Sequence, residues 1–110
     1  MDTEQAQNKI SARIANRNDE FRRARTASYI VTQGVIMRVD LSRAIDTVRC
    51  FDSFNEDNDP YGEHDFGRVE LDGEVLFWKI DYFNEGLSGW CDPLNLNCRR
   101  VLTVMLAEEY

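Results

Sequence analysis

The chain lacks the features that mark a membrane or exported protein. No apolar run approaches the roughly 20 residues of a membrane-spanning helix. The opening residues MDTEQAQNK contain neither the basic nor the apolar segment of an export signal. Cysteine occurs only three times in 110 residues, and an odd number is not typical of a disulfide framework. We therefore expect a cytoplasmic protein with reduced thiols and no membrane contact.

The short motifs of the common enzyme classes are also missing. There is no Gly-x-Ser-x-Gly, no phosphate-binding loop, no HExxH and no Cys–His signature. Cys50, Cys91, Cys98 and the single histidine, His64, are a permissible zinc set. The six residues between Cys91 and Cys98 separate them more widely than the close pairs of structural zinc sites. We assign no catalytic residue, metal or cofactor on this evidence.

Positive charge is scarce in the second half of the chain. Residues 1–49 carry nine Lys/Arg and six Asp/Glu, whereas residues 50–110 carry four and fourteen. Between Asp52 and Glu74, nine acids stand against Arg68 alone. Because Lys and Arg supply most of the affinity for phosphates, this composition disfavours direct binding of nucleic acid. It favours a basic protein partner, although acids that only keep a protein soluble are the simpler interpretation.

The acids are densest in residues 52–65, DSFNEDNDPYGEHD, which hold six carboxylates, two Asn and the only His. Like charges at this density repel, so the segment is either a solvent-facing loop with a binding role or a disordered turn. An EF-hand does not fit, because counting from Asn55 puts Pro60 where the calcium loop needs Gly. An irregular metal-dependent site remains the alternative, with His64 as a base, using Asp57, Asp59, Glu63, His64 and Asp65.

The first half of the chain is predicted to hold two helices and a strand. Ala6, Ile10, Ile14 and Phe21 recur at helical spacing, which predicts a helix over residues 3–25. The same spacing leaves four polar residues outside the apolar stripe: Arg13, Arg17, Asn18 and Arg22. The β-formers of SYIVTQ predict a strand over about 28–33, broken by Gly34. Asp40 is the expected N-cap of a helix over about 40–52.

The second half is predicted to hold a hairpin and a final strand. Asp72-Gly73 is the pair that a two-residue type I′ turn demands, so residues 68–83 are predicted to form a hairpin with Leu76 opposite Val69. That register places one set of side chains on the core face, namely Val69, Leu71, Leu76, Trp78, Ile80 and Tyr82. A C-terminal strand is expected over about 100–107. The chain is thus predicted to be a single α+β domain over 1–110, with helices on one face of a small antiparallel sheet and with residues 1–17 frayed.

Several sequence runs resemble a family of small uncharacterised bacterial proteins carried on plasmids and other mobile elements. The likeness spans residues 18–110 and lies in NDEFRR (18–23), TQGV (32–35), FDSFNEDNDP (51–60), NDPYGEHDFG (58–67), WKIDYF (78–83) and RVLTVMLAEEY (100–110). The resemblance implies no activity, since the family is a domain of unknown function. By analogy, small acidic proteins of mobile elements often inhibit host defence by presenting carboxylates where phosphates would bind.

These observations lead to one preferred function. We expect a protein-binding module that acts as a counter-defence inhibitor or regulator and engages a basic surface, such as that of a host nuclease or nucleoprotein. A homodimer without a ligand and the metal-dependent enzyme remain alternatives. The expected partner-binding residues are Asp57, Asp59, Tyr61, Glu63, His64, Asp65, Glu70 and Phe77.

Overall fold

The computed structural model describes residues 3–24 and 27–110, which form an α+β fold, as the sequence predicts. The helices are α1 (Thr3–Arg23), α2 (Gln33–Arg38) and α3 (Leu41–Arg49). The strands are β1 (Tyr29–Val31), β2 (Phe66–Leu71), β3 (Glu74–Phe83) and β4 (Arg99–Leu106), and a 3-10 turn follows at Ala107–Glu109. Across these described ranges, no helix has the length and apolarity that crossing a bilayer requires.

The hairpin forms with the predicted register. Asp72 and Gly73 both have positive φ, at 53° and 79°, as the type I′ turn demands. Val69 pairs with Leu76, and Gly67 pairs with Trp78. Gly67 is required at its position, because a Cβ there would overlap the Trp78 indole. The two-residue turn therefore determines which side chains of β2 and β3 enter the core.

The sheet is mixed, so the prediction of an antiparallel sheet is wrong for its first strand. The strand order is β1-β4-β3-β2, in which β4 is antiparallel to β3 but parallel to β1. Parallel neighbours require a long crossover. Here α2, α3 and the acidic segment carry the chain from β1 at one edge of the sheet to β2 at the other.

The segment after β1 differs from its prediction. The strand ends at Val31, and Thr32 becomes the N-cap of α2, with its side chain accepting a hydrogen bond from the Val35 amide. Gly34 lies inside this helix instead of breaking the structure. Its missing side chain permits close packing, since a Cβ there would lie 2.7 Å from Leu106 Cδ1. The absence of a Cβ at Gly34 thus lets the side chains of Leu106 and Glu109 pack directly against the backbone of α2.

Helix α1 buries a different stripe from the predicted one. Ile10 is 40% exposed, whereas Asn18 and Arg22 are fully buried. The physical reason is that polar partners from the rest of the fold meet these two side chains. The predicted end of this helix at residue 25 lies outside the described residues, and α1 ends at Arg23.

Helix α3 begins as predicted, although it ends at Arg49 instead of residue 52. The Asp40 side chain caps it by accepting a hydrogen bond from the Arg43 amide at 2.9 Å. The hairpin turn reinforces this cap, because Asp72 Oδ2 accepts from the Asp40 amide at 3.1 Å. Asp72 Oδ1 also lies 2.6 Å from Arg43 Nη1. The turn and the start of α3 therefore hold each other in place.

The core lies between the helices and one face of the sheet. Its centre is Trp78, which is fully buried and meets the rings of Phe51 and Phe54 edge-on, with centroids 5.5 and 6.1 Å away. The buried residues around Trp78 are Val35, Val39, Ala44, Val48, Val69, Leu71, Leu76, Ile80, Leu102, Val104 and Leu106. The described helices leave the opposite face of the sheet, here called the outer face, uncovered.

Trp78 and Lys79 are neighbours on β3 that point to opposite faces, so they offer a matched test of the register. We expect Trp78→Ala to lower the free energy of unfolding by about 3–5 kcal/mol, because it leaves a large cavity in the core. Lys79→Ala removes a half-exposed side chain from the outer face and should change stability by no more than about 0.5 kcal/mol. Urea denaturation of both variants measures this difference, and equal losses would contradict the register.

Candidate functional site

The acidic segment 52–65 is an ordered loop. Asn55 Oδ1 accepts hydrogen bonds from the amides of Asp57 at 2.8 Å and Asn58 at 3.0 Å. In return, Asn58 Oδ1 accepts from the Asn55 amide at 2.9 Å, and its Nδ2 donates to the Ser53 carbonyl at 2.8 Å. Two amide side chains thus close the loop on itself, as Asx turns do. We call residues 52–65 the acidic loop.

The second half of the acidic loop is organised around Asp59. The side chain of Asp59 is only 7% exposed, and its Oδ1 accepts a hydrogen bond from the His64 amide at 3.2 Å. The Gly62 amide donates to the Asp59 carbonyl at 3.0 Å, which closes the turn across Pro60 and Tyr61. Gly62 and His64 both take positive φ. Asp59 therefore shapes the loop as well as contributing charge to it.

The ring of His64 faces α1 and lies between two carboxylates. Its Nδ1 is 3.1 Å from both carboxylate oxygens of Asp19, and its Nε2 is 3.6 Å from Asp59 Oδ2. The imidazole stacks flat on Phe54, with centroids 3.8 Å apart and planes within 3°. These contacts fix the ring from three sides, so His64 anchors the acidic loop to the first helix.

Behind His64, Arg22 binds the same carboxylate. Its Nη2 donates to Asp19 Oδ1 at 2.9 Å, and its Nη1 donates to the carbonyls of Val48 and Arg49 at 2.9 and 3.0 Å. These carbonyls belong to the last turn of α3, whose acceptors lack helical partners. The guanidinium also lies over Trp78, 5.1 Å from the ring centroid. Burial lowers the pKa of Arg22, and its pairing with Asp19 opposes that shift.

A cleft of about 380 Å³ lies between the acidic loop and the outer face. We call it the loop–sheet cleft. Its aromatic walls include Tyr61, which is 81% exposed at the loop tip. Lys79 and Asp81 pair with each other at its edge, 3.0 Å apart. The aromatic rings and carboxylates that line the cleft are Tyr61, Phe66, Tyr110, Asp59, Asp65 and Asp81.

Three rings extend the apolar surface from this cleft along the outer face. Phe66 and Phe77 lie 5.1 Å apart between centroids, and the Tyr110 ring meets Phe77 at 5.5 Å and Phe66 at 5.9 Å. The chain brings them together because Phe66 and Phe77 point outward from adjacent strands and Tyr110 follows the 3-10 turn. A continuous aromatic surface therefore borders the acidic loop.

Two carboxyls at or beside the cleft have raised pKa values. Burial raises the pKa of Glu63, and the charges of Asp65 and Asp59 raise it further. Burial also raises the pKa of Asp65, to which Asp59 and Asp81 add. Ionising either carboxyl in the folded protein therefore takes more free energy than in water, since the surroundings disfavour the charged form. A cationic group bound here would relieve that cost.

The structure brings some of the eight predicted partner-binding residues together at the loop–sheet cleft and places the others elsewhere. Asp59, Tyr61 and Asp65 meet at the loop–sheet cleft, and Phe77 joins them through the ring of Phe66. Glu63 lies half-buried beside them, while His64 faces α1. Two residues stand farther out: Asp57 on the exposed part of the loop, and Glu70 on β2 in an ion pair with Arg68.

Sequence reasoning missed Asp19, Arg22, Asp81 and Tyr110. The recurrence of Ile14, Asn18 and Arg22 every four residues is a signal for a buried polar stripe. The alternating pattern of β3 places Asp81 on the outer face, beside the end of the loop. For metal binding, no group of three or more His, Cys, Asp or Glu side chains converges within residues 3–24 and 27–110.

Comparison with known proteins yields a family but no characterised relative. A family model described as protein of unknown function (DUF3768) matches residues 31–109, which include the acidic loop and the whole sheet except its first two residues. This confirms the resemblance to an uncharacterised family over that range. No curated protein and no solved structure matches the chain. Helix α1, which supplies Asp19 and Arg22, lies outside the match.

Arg22 and Arg23 are adjacent on α1, one buried and one exposed, and they form a matched pair for testing the anchor of the loop. We expect Arg22→Met to lower the free energy of unfolding by about 3 kcal/mol, because it removes the charged partner of Asp19 and the side-chain donor to the Val48 and Arg49 carbonyls. Arg23→Met should have an effect below about 0.5 kcal/mol. Denaturant unfolding is the measurement, and a stable Arg22→Met protein would show that the guanidinium is dispensable.

The raised pKa values of Glu63 and Asp65 predict how stability depends on pH. A carboxyl whose pKa is raised in the folded state favours folding while it is protonated, and this contribution is lost as pH rises through the folded-state pKa. Above its folded-state pKa, each group is ionised in surroundings that disfavour the charge. We therefore expect Glu63→Gln with Asp65→Asn to raise the melting temperature at pH 7. The gain should vanish below the ordinary pKa values of 4.5 and 3.8, and a loss of stability at pH 7 would contradict the argument.

Proposed function

The chain belongs to the family of proteins of unknown function DUF3768, and we propose that it is a binding module for a basic protein surface. The acidic loop and the adjoining outer face form the binding surface. The loop–sheet cleft accepts a lysine or arginine side chain of the partner. No catalytic step is part of this proposal.

The observation that carries the proposal is the chemistry of the loop–sheet cleft. Aromatic rings and carboxylates line one small opening, with Tyr61 exposed at its rim. A guanidinium or ammonium group binds best where it meets a ring face and an acceptor oxygen together. Exposed aromatic side chains of this kind supply most of the affinity in protein interfaces.

The charges around the cleft support the same partner. The few basic side chains nearby are already paired within the chain, since Arg68 contacts Glu70 at 2.9 Å and Lys79 contacts Asp81 at 3.0 Å. Within the acidic loop, five carboxylates have no ion pair in the described chain: Asp52, Glu56, Asp57, Glu63 and Asp65. A surface with this excess of negative charge attracts basic partners at long range and speeds their association.

The order of the acidic loop also favours binding. Its Asx turns, the inward Asp59 and the stacked ring of His64 hold the backbone in one conformation before a partner arrives. A preorganised loop loses little conformational entropy on association, so more of the contact energy appears as affinity.

The resemblance to proteins of plasmids and mobile elements suggests a biological form for this function. In that setting, the partner is a host defence nuclease or nucleoprotein, whose phosphate-binding surface the carboxylates occupy. Acting in this way, the protein is a counter-defence inhibitor or a regulator in the cytoplasm. The rival role, a metal-dependent enzyme using the loop, lacks a converging ligand set in the part of the chain that the structure describes.

The test begins with capture of the partner from host extract by the purified protein, followed by binding measurements with that partner. Substituting Asp57→Asn, Glu63→Gln and Asp65→Asn together with Tyr61→Ala should weaken binding at least 100-fold, as loss of an interface centre does. The control is Glu4→Gln, Asp46→Asn and Glu85→Gln, which changes the net charge equally at exposed positions elsewhere. This control should weaken binding less than threefold.

Ionic strength gives a second readout of the same interaction. Association with the wild-type protein should slow as salt rises, because the Debye length falls to about 8 Å at physiological ionic strength. Binding that is indifferent to salt, or that survives the loop substitutions, would contradict the proposal. A saturable rise in melting temperature with micromolar Ca²⁺, Mg²⁺ or Mn²⁺ would instead favour the metal-dependent enzyme.

A further inference from the structure

A second cleft lies near the β1 edge of the sheet, away from the acidic loop. It has a volume of about 790 Å³ and lies between the second half of α1, the residues before β1 and the segment leading into β4. We call it the arginine cleft. The side chains that define its chemistry are Arg17, Arg99, Arg100, Glu20, Phe21 and Leu96.

The rest of the fold holds two of these arginines in place. Arg17 Nη1 donates to the Leu94 carbonyl at 2.7 Å. Arg100 Nη2 donates to the Pro93 carbonyl at 2.8 Å, and its Nε donates to Oδ1 of the buried Asn18 at 2.6 Å. Neutral acceptors therefore position these guanidinium groups without cancelling their charge, and their remaining N–H groups stay available to a ligand.

The arginine cleft is electropositive in a protein with a net charge of −7. Among residues 3–24 and 27–110, no carboxylate oxygen lies within 4 Å of the guanidinium nitrogens of Arg17, Arg99 or Arg100. Arg38, Arg43 and Arg68, by contrast, each lie within 4 Å of a carboxylate oxygen. Arg17, Arg99 and Arg100 thus line one opening without a carboxylate partner, which makes the cleft a candidate site for an anion.

We propose that the arginine cleft binds a small phosphorylated molecule of about nucleotide size. Guanidinium groups match phosphate oxygens with paired N–H donors, and three of them suit a group that carries more than one negative charge. The volume falls in the range of pockets for small molecules and cofactors. Phe21 and Leu96 offer apolar walls for the remainder of the ligand, and Glu20 offers an acceptor for its hydroxyl groups.

A nucleic-acid strand is a poorer match than a small molecule. Binding a strand needs a basic track that follows many phosphates. Here Arg17, Arg99 and Arg100 line one opening instead of a track, and the acidic loop would repel a strand that extended over it. The cleft therefore favours one isolated phosphate-bearing ligand.

Isothermal titration of the full chain tests this inference with five probes. ADP and inorganic pyrophosphate should bind saturably, whereas adenosine, which has no phosphate, should not bind. Citrate tests whether any multivalent anion suffices, and a 12-nucleotide single strand of thymidine tests the nucleic-acid reading. Tighter binding of citrate than of pyrophosphate, or of the oligonucleotide than of ADP, would overturn the proposal, as would no saturable binding of either phosphate probe.

Arg99→Gln is the informative variant, because the Arg99 side chain makes no hydrogen bond or ion pair within the described residues and its loss should leave the fold intact. We expect it to weaken ADP binding about tenfold, the effect of one charge-assisted contact. Arg68→Gln makes the same change in charge on β2, at the opposite edge of the sheet, and should change the affinity less than twofold. Equal losses in the two variants would show diffuse attraction only and would overturn the site.

A second cleft variant shows whether a loss of ADP binding reflects misfolding. The acidic-loop variant shows whether ADP binding is independent of the proposed protein-binding surface. Arg17→Gln should also weaken ADP binding about tenfold, and circular dichroism should show that both variants keep the wild-type spectrum. The acidic-loop substitutions at Asp57, Glu63 and Asp65 should not lower the affinity for ADP. Loss of ADP binding in that loop variant would place the phosphate elsewhere and overturn the inference.

Discussion

The buried guanidinium of Arg22 is the interaction on which the arrangement of this fold depends. It joins four parts of the chain: its own helix α1, the last carbonyls of α3, the Trp78 ring of the sheet and, through Asp19, the His64 of the acidic loop. A charged group costs free energy when it leaves water, so it stays buried only where partners surround it. The helices and the loop therefore pack on the sheet in an arrangement that gives both Nη atoms of Arg22 their hydrogen-bond acceptors.

Fixing the loop in this way places two of its carboxyls in surroundings that disfavour their ionised form. Asp59 and His64 turn inward and hold the backbone, which leaves Glu63 and Asp65 half-buried beside like charges with raised pKa values. Such residues weaken the isolated fold at neutral pH. Sites that sacrifice stability in this way are typical of binding surfaces, and this cost supports a binding role for the loop over a purely solubilising one.

The two proposed sites divide the molecule by charge. The acidic loop and outer face suit a cationic protein surface, while the arginine cleft near β1 suits a small anion. Asn18 connects them physically, since its Nδ2 donates to the Glu63 carbonyl at 2.9 Å and its Oδ1 accepts from Arg100 at 2.6 Å. One buried amide of α1 thus supports both the loop and an arginine of the cleft.

Local rules in the sequence determined the hairpin register, the core face of β2 and β3, the cap at Asp40, the final strand and the clustering of acids in residues 52–65. Each depends on neighbours in the chain: a turn pair, an alternation or a capping side chain. Only the tertiary structure decided that β1 runs parallel to β4, that Gly34 lies in a helix, and that Asn18 and Arg22 are buried. These outcomes depend on partners far along the chain, because a polar side chain is buried when distant groups satisfy its hydrogen bonds, and no local pattern records where those groups will be.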